Sequence, residues 1–212
     1  MTCHLIKRSS ILLCMLGLGA VPAAQAQVSW GLRAGVAHPA GTFADYFDLG
    51  PTVGVEAGYP LRDKVALVLG ADFDHYNGHS YFGLPNVNLF RFQVGVLADL
   101  LGGSSQGWAV QAQAGAGGAN LRSQREFYLE SSTFGVDLVS RTFAKTSLTG
   151  TGGLRFRFGG QSRLSGFVGL SGFWANLGES ATEDLRQTEP LILKPLASAL
   201  GYSVSAGFTM SP

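Results

Sequence analysis

From Val28 onward the chain is written in twos. Val28, Trp30, Leu32, Ala34 and Val36 alternate with Ser29, Gly31, Arg33, Gly35 and Ala37. Successive side chains of a strand point to opposite faces, so this spacing gives a strand with one apolar and one polar side. The pattern returns in segment after segment to the C-terminus. Its polar side is built of Gly, Ser, Thr, Gln and charged residues, too polar for the dry interior of a soluble sandwich. A closed barrel satisfies both sides, with lipid against the apolar face and the polar face lining a lumen. Closure also serves the backbone, because in hydrocarbon every N–H and C=O must be paired and an open sheet edge leaves a row of them bare.

Eight such segments can be read. After the first, which runs to about Ala37, Val53, Val55, Ala57 and Tyr59 face out while Thr52, Gly54, Glu56 and Gly58 face in. The third sets Val65, Leu67, Leu69, Ala71 and Phe73 against Ala66, Val68, Gly70, Asp72 and Asp74. The fourth sets Phe90, Phe92, Val94, Val96 and Ala98 against Leu89, Arg91, Gln93 and Gly95, with Leu89 and Leu97 as apolar exceptions on the polar side. The fifth starts at Trp108 and carries Gln111 and Gln113 inward. The sixth opposes Leu148, Leu154, Phe156 and Phe158 to Thr149, Thr151, Arg155 and Arg157. The seventh, residues 163–174, alternates weakly because Phe167 and Phe173 oppose Val168, Leu170 and Trp174, so its register is the least determined. The eighth runs through Leu200, Tyr202, Val204, Ala206 and Phe208.

The connections 38–50, 75–86, 120–141 and the one reaching Pro195 are long, whereas 60–64, 99–107 and 159–162 are short. This alternation is that of barrels with brief periplasmic turns and extended outer loops. The same assignment puts Trp30, Tyr59, Trp108, Phe156, Phe158 and Phe208 at one rim and Phe73, Phe90, Phe143 and Trp174 near the other, as two interfacial aromatic belts require.

The N-terminus supports export. Lys7 and Arg8 precede an apolar stretch from Ile11 to Val21, and Ala24-Gln25-Ala26 supplies an A-x-A cleavage site, so residues 1–26 are expected to be a signal peptide and 27–212 the barrel. The apolar stretch is about half of the ~20 residues a spanning helix needs. Leu13 before Cys14 is not the small residue that lipoprotein anchoring wants. Both cysteines, Cys3 and Cys14, lie in this leader, so no disulfide or cysteine metal site is expected after cleavage. Loss of Lys7 and Arg8 takes Lys+Arg from 15 to 13 against Asp+Glu of 14, moving the formal charge from +1 to −1. Nothing basic enough for nucleic acid remains. A soluble eight-stranded barrel of the lipocalin type would have to crowd Phe90, Phe92, Phe156 and Phe158 inside and leave Gly, Ser and Gln outside.

The leader followed by Trp30-Gly31-Leu32-Arg33-Ala34-Gly35, the eight alternating segments and the last strand Tyr202-Ser203-Val204-Ser205-Ala206-Gly207-Phe208 resemble the outer-membrane β-barrel proteins related to the transmembrane domain of outer-membrane protein A. The resemblance covers essentially the whole mature chain and is one of pattern. It implies an all-β, eight-stranded, antiparallel up-and-down transmembrane barrel in the outer membrane. Its implied partners are outer-membrane lipids including lipopolysaccharide, and the insertion machinery, which commonly reads a terminal aromatic. Here Phe208 is followed by Thr209-Met210-Ser211-Pro212. A monomer without cofactors is expected.

The inward charges Arg33, Glu56, Asp72, Asp74, Arg91, Arg155 and Arg157 are mixed in sign. Eight strands enclose a space just wide enough for side chains to fill, and an unpaired ion there costs several kcal/mol, so these groups are expected to pair. Arg33 with Glu56 and Asp72 with Arg91 are the expected pairs, with Arg155 as a second partner for Glu56. The network is either a structural plug or, as the resemblance allows, the gate of a narrow channel for small solutes. The width favours the plug.

Asp72, Asp74, His75, His79 and Ser80 cluster at the outer end of the third segment, which raises a Ser-His-Asp lipid-A acyltransferase or deacylase as the enzymatic alternative. Nothing in the spacing orients them, and His75 with His79 lacks an evident third metal ligand. Phe43, Tyr46 and Phe47 in the first outer loop and Tyr81 and Phe82 in the second offer aromatics to a partner, or else pack on the rim. The reading is a non-enzymatic structural or surface-interaction barrel.

Overall fold

The structure is a computed structural model that describes residues 28–78, 86–103, 106–123, 126–132, 135–141, 144–159, 163–178 and 196–211. The expected leader, His79, Ser80, Tyr81, Phe82 and Phe143 lie outside them. Strands β1 (Ser29–Ala40), β2 (Phe47–Asp48), β3 (Gly50–Arg62), β4 (Val65–Gly78), β5 (Val87–Gly103) and β6 (Trp108–Ser123) are followed by β7 (Glu126–Ser132), β8 (Gly135–Arg141), β9 (Ala144–Phe158), β10 (Leu164–Asn176) and β11 (Ser198–Met210). Apart from the two-residue β2, the nine-stranded sheet consists of eight wall strands in the order β1-β3-β4-β5-β6-β9-β10-β11, and β11 pairs back on β1. Every neighbouring pair in this ring is antiparallel. The wall is therefore a closed up-and-down barrel with no free edge.

Wall strands of 12 to 17 residues exceed the ~9–11 tilted residues that cross a bilayer, so their outer ends stand clear of it. The barrel is inside out relative to a soluble protein. Leu32, Val55, Phe92, Val94 and Leu170 are all about half exposed, whereas Glu56, Asp72, Arg91, Gln93 and Arg155 are buried. At the turn-bearing rim Trp108 stacks on Phe156, and Phe158 lies across Gly166, where a Cβ would strike its ring. At the other rim Phe73 pairs with Phe90, and Tyr202 stacks on His38. The two aromatic belts thus form where the alternation puts them.

An apolar band in contact with lipid makes a direct forecast. Val94, halfway along β5 with Leu69 and Ala116 as cross-strand partners, tolerates isosteric apolar exchange, whereas Val94→Arg lowers the unfolding free energy in phospholipid vesicles by about 2–4 kcal/mol. Urea titration followed by tryptophan fluorescence reads that difference, and an unchanged midpoint contradicts a lipid-facing β5.

Several boundaries move. β1 continues to Ala40 and is followed by a single 3-10 turn, Gly41–Asp45, and by β2, so the first connection is shorter and more structured than a loop over 38–50. The turn expected over 60–64 contracts to 63–64, with a bulge between Pro60 and Arg62 that absorbs the proline. The third outer connection contains a β-hairpin, β7 with β8, standing beyond the wall as a sheet of its own. In β10 the register resolves with Phe167 and Phe173 inside and Val168, Leu170 and Trp174 outside.

Candidate functional site

The interior is stacked in layers. Its outermost layer is apolar: Phe43 of the 3-10 turn, Phe47 of β2, Tyr76 of β4, Leu89 of β5, Leu121 of β6 and Leu196 fill the mouth, with Phe173 and smaller residues around them. Phe43 lies 4.8 Å from Phe47 and meets Tyr76 edge-on at 5.1 Å between ring centroids. Phe43, Tyr46 and Phe47 are 0–3% exposed. Of the two readings of these aromatics, contact with an external partner is corrected and packing at the rim is what forms: the segment folds back into the barrel mouth, where the upper ends of β4, β5, β6 and β10 leave an apolar hole that it fills together with Leu196. Leu89, an exception on the polar face, belongs to the same plug.

Beneath the plug the layers become ionic. Asp74, fully buried, accepts hydrogen bonds from Thr52 Oγ1 at 2.5 Å and Arg91 Nε at 3.0 Å, with Arg91 Nη2 at 2.8 Å. Phe173 lies 4.3 Å under the Arg91 guanidinium, which explains why an aromatic stands on the polar face of β10. Asp72 takes Arg33 in a fork, with Nε at 2.9 Å and Nη2 at 2.6 and 2.7 Å from its oxygens, and Gln93 Nε2 at 3.4 Å. Gln93 in turn accepts from Thr151 of β9. One level lower, Glu56 accepts from Arg33 Nη1 at 3.4 Å and from Arg155 Nη1 at 2.5 Å. Arg155 donates Nε to Gln111 at 2.7 Å and covers Phe167 at 4.8 Å. Gln111 donates to Asp99 at 2.6 Å, and Asp99 stands 3.8 Å from Arg157.

The network balances. Among the described residues the inward arginines Arg33, Arg91, Arg155 and Arg157 face Asp72, Asp74, Glu56 and Asp99, four of each sign. Some bonds run right across the lumen, since Glu56 is on β3 and Arg155 on β9, strands on opposite sides of the ring. Glycine makes the reach possible. Gly54 sits between Arg33 and Asp72 in the register of β1, β3 and β4, and a Cβ there would collide with Asp72 Oδ1 and lie 2.8 Å from Arg33 Nε. A larger residue would shut the path by which Arg33 passes over β3.

Of the expected pairs, Arg33 with Glu56 forms but is secondary to Arg33 with Asp72, and Arg155 does share Glu56. Asp72 and Arg91 are directly opposed in register yet 3.8 Å apart at their charged atoms. That pairing forms as the weaker of two: the long Arg91 side chain leans outward to Asp74 at 2.8 Å, while Arg33 reaches Asp72 more closely through the gap at Gly54. Asp99 was not among the expected residues, although it extends the inward parity of Arg91, Gln93 and Leu97; ending the fourth segment at Ala98 hid it.

Of the residues of the hydrolase alternative, His79 and Ser80 lie outside the described residues, and the described Asp72, Asp74 and His75 do not converge on one point. Asp74 faces the lumen and its neighbour His75 faces out, with Nδ1 2.7 Å from Asn88 Oδ1, as adjacent residues of a strand must. Asp72 and Asp74 are already committed to arginines. Among the described residues no group of three or more His, Cys, Asp or Glu is placed to hold a metal ion.

No protein-family model matches the chain, and no curated protein matches it. Among solved structures it is similar to neisserial surface protein A, with 11% identity over 87% of this chain and 97% of that one and a TM-score of 0.58. It is also similar to a major outer-membrane protein of Thermus thermophilus, with 13% identity over 86% and 99% and a TM-score of 0.53. At such identities the likeness is one of fold. The chain has the fold of the small outer-membrane β-barrel proteins, with an exposed apolar belt around its wall.

Proposed function

We propose that this chain is a non-enzymatic integral barrel of the outer membrane, serving envelope structure or surface contact through the segments beyond its outer rim. The observation that carries this reading is the filled lumen. An apolar plug closes the outer mouth, cross-barrel ion pairs occupy the middle, and the cavity bounded by Arg33, Arg155, Ser171 and Ser205 is about 20 Å³, room for about one water. An interior stopped at its outer mouth and filled through its middle passes no solutes, so surface contact falls to the segments beyond the outer rim. The outward β7–β8 hairpin and the long outer connections are where such contacts would be carried, since loops vary freely around a rigid wall.

In planar bilayers the purified protein is expected to give no stepwise single-channel current. Regular current steps that change with Arg91→Ala would instead establish the narrow channel. Lipid A from cells with and without the gene should show the same acyl pattern. A difference abolished by His79→Ala would establish the enzyme.

A further inference from the structure

The two ends of the lumen are not alike. Where the outer mouth is stopped with aromatic and aliphatic side chains, the end bearing the short turns opens into a vestibule of about 320 Å³. Its walls carry Arg62, Lys64, Arg155 and Arg157 against Asp63 and Asp99. Arg155 is neutralised by Glu56 at 2.5 Å. The other three cations face two acids, one positive charge in excess.

Arg157 is the least satisfied ion of the lumen. Its one ionic partner among the described residues, Asp99, is 3.8 Å away and already accepts a 2.6 Å bond from Gln111. The Arg157 Nε–H is buried with no acceptor. A buried donor left unpaired costs about 1–3 kcal/mol, which an incoming acceptor would recover. The guanidinium fork matches two oxygens of one oxyanion, and the low-dielectric walls of a blind vestibule strengthen the attraction over that in open water. The plug forbids entry from outside, so the ligand arrives from the side of the short turns.

We propose that this vestibule is a binding site for an oxyanion, a carboxylate or a phosphate, seated on Arg157 and flanked by Arg62 and Lys64. The site rests on the filled-lumen reading only in that the vestibule is blind. Two sources offer the chemistry, a free inorganic anion or the acidic group of a peptide on that side of the membrane.

The test uses the full mature barrel in lipid nanodiscs, its arginine Nε–H resonances observed by nuclear magnetic resonance during titration with inorganic phosphate and, separately, with the dipeptide Gly-Glu. The Arg157 resonance is expected to move saturably with at least one probe while that of Arg33 stays in place. Movement with phosphate alone assigns the site to a free anion, and movement with Gly-Glu assigns it to a peptide carboxylate. Lys64→Gln, in an exposed turn outside the ion-pair network, weakens the response, and Arg157→Gln, followed at the Arg62 Nε–H resonance, weakens binding about tenfold, the worth of one charge-assisted bond. An Arg157 resonance unmoved by both probes overturns the proposal. It leaves the filled-lumen reading intact, since that reading stands or falls on the bilayer currents.

Discussion

Replacing Arg33 with alanine is expected to lower the unfolding free energy of the barrel by about 3–5 kcal/mol, because it takes the main cation from buried Asp72 and a second one from buried Glu56. Asp72 loses its fork of bonds at 2.6 to 2.9 Å, and Glu56 keeps only Arg155. Arg91, held by Asp74 at 2.8 Å, reaches Asp72 only at 3.8 Å and compensates it weakly. Arg33→Lys restores the charge without the planar fork and should recover part of the loss. The decisive comparison is the double variant Arg33→Met with Asp72→Leu. It removes one charge of each sign, so it leaves no ion uncompensated and should be more stable than Arg33→Ala alone. Urea unfolding in phospholipid vesicles measures all three. If Arg33→Ala costs less than about 1 kcal/mol, a typical exposed pair, then water reaches these groups and the interior is not the dry, paired stack described above.

That expectation could be framed from the sequence only in outline. Period-two alternation puts Arg33, Glu56, Asp72 and Arg91 on one side of their strands whatever the fold, and closure of the wall follows once both sides must be satisfied. Which carboxylate meets which guanidinium is another matter. Arg33 to Asp72 depends on the absence of a side chain at Gly54, on a strand between them, and Arg155 to Glu56 depends on how far it is across the ring. Neither distance is a property of a single strand. The Phe167 and Phe173 positions that blurred the seventh segment look like errors in an alternating pattern. They are the faces on which Arg155 and Arg91 rest, visible only once β10 is placed beside β9, which carries Arg155, and across the lumen from β5, which carries Arg91.

The outer plug was hidden for a different reason. Alternation describes strands and says nothing of a segment that leaves the wall and turns back, so Phe43, Tyr46 and Phe47 read as loop aromatics. Leu89 in the fourth segment is the available clue: an apolar side chain on the lumen face asks for apolar neighbours, and Leu121 opposite it is only one side of the cluster that Phe43 and Phe47 complete. The plug therefore makes its own forecast. Phe43→Ala removes a fully buried ring from between Phe47 and Tyr76 and should cost about 3–5 kcal/mol, towards the lower figure if the 3-10 turn settles into the space. Tyr76→Phe should cost little, because the Tyr76 hydroxyl is buried without a partner and its removal strands nothing. The contrast between these two is sharper than either alone, since an exposed Phe43 predicts no difference between them. Phe43→Ala should also remain silent in planar bilayers, because the layer of Asp74, Arg91, Asp72 and Arg33 beneath it closes the lumen independently. Current through Phe43→Ala would mean that the aromatic cap is the seal and that the ion pairs yield to passing solute.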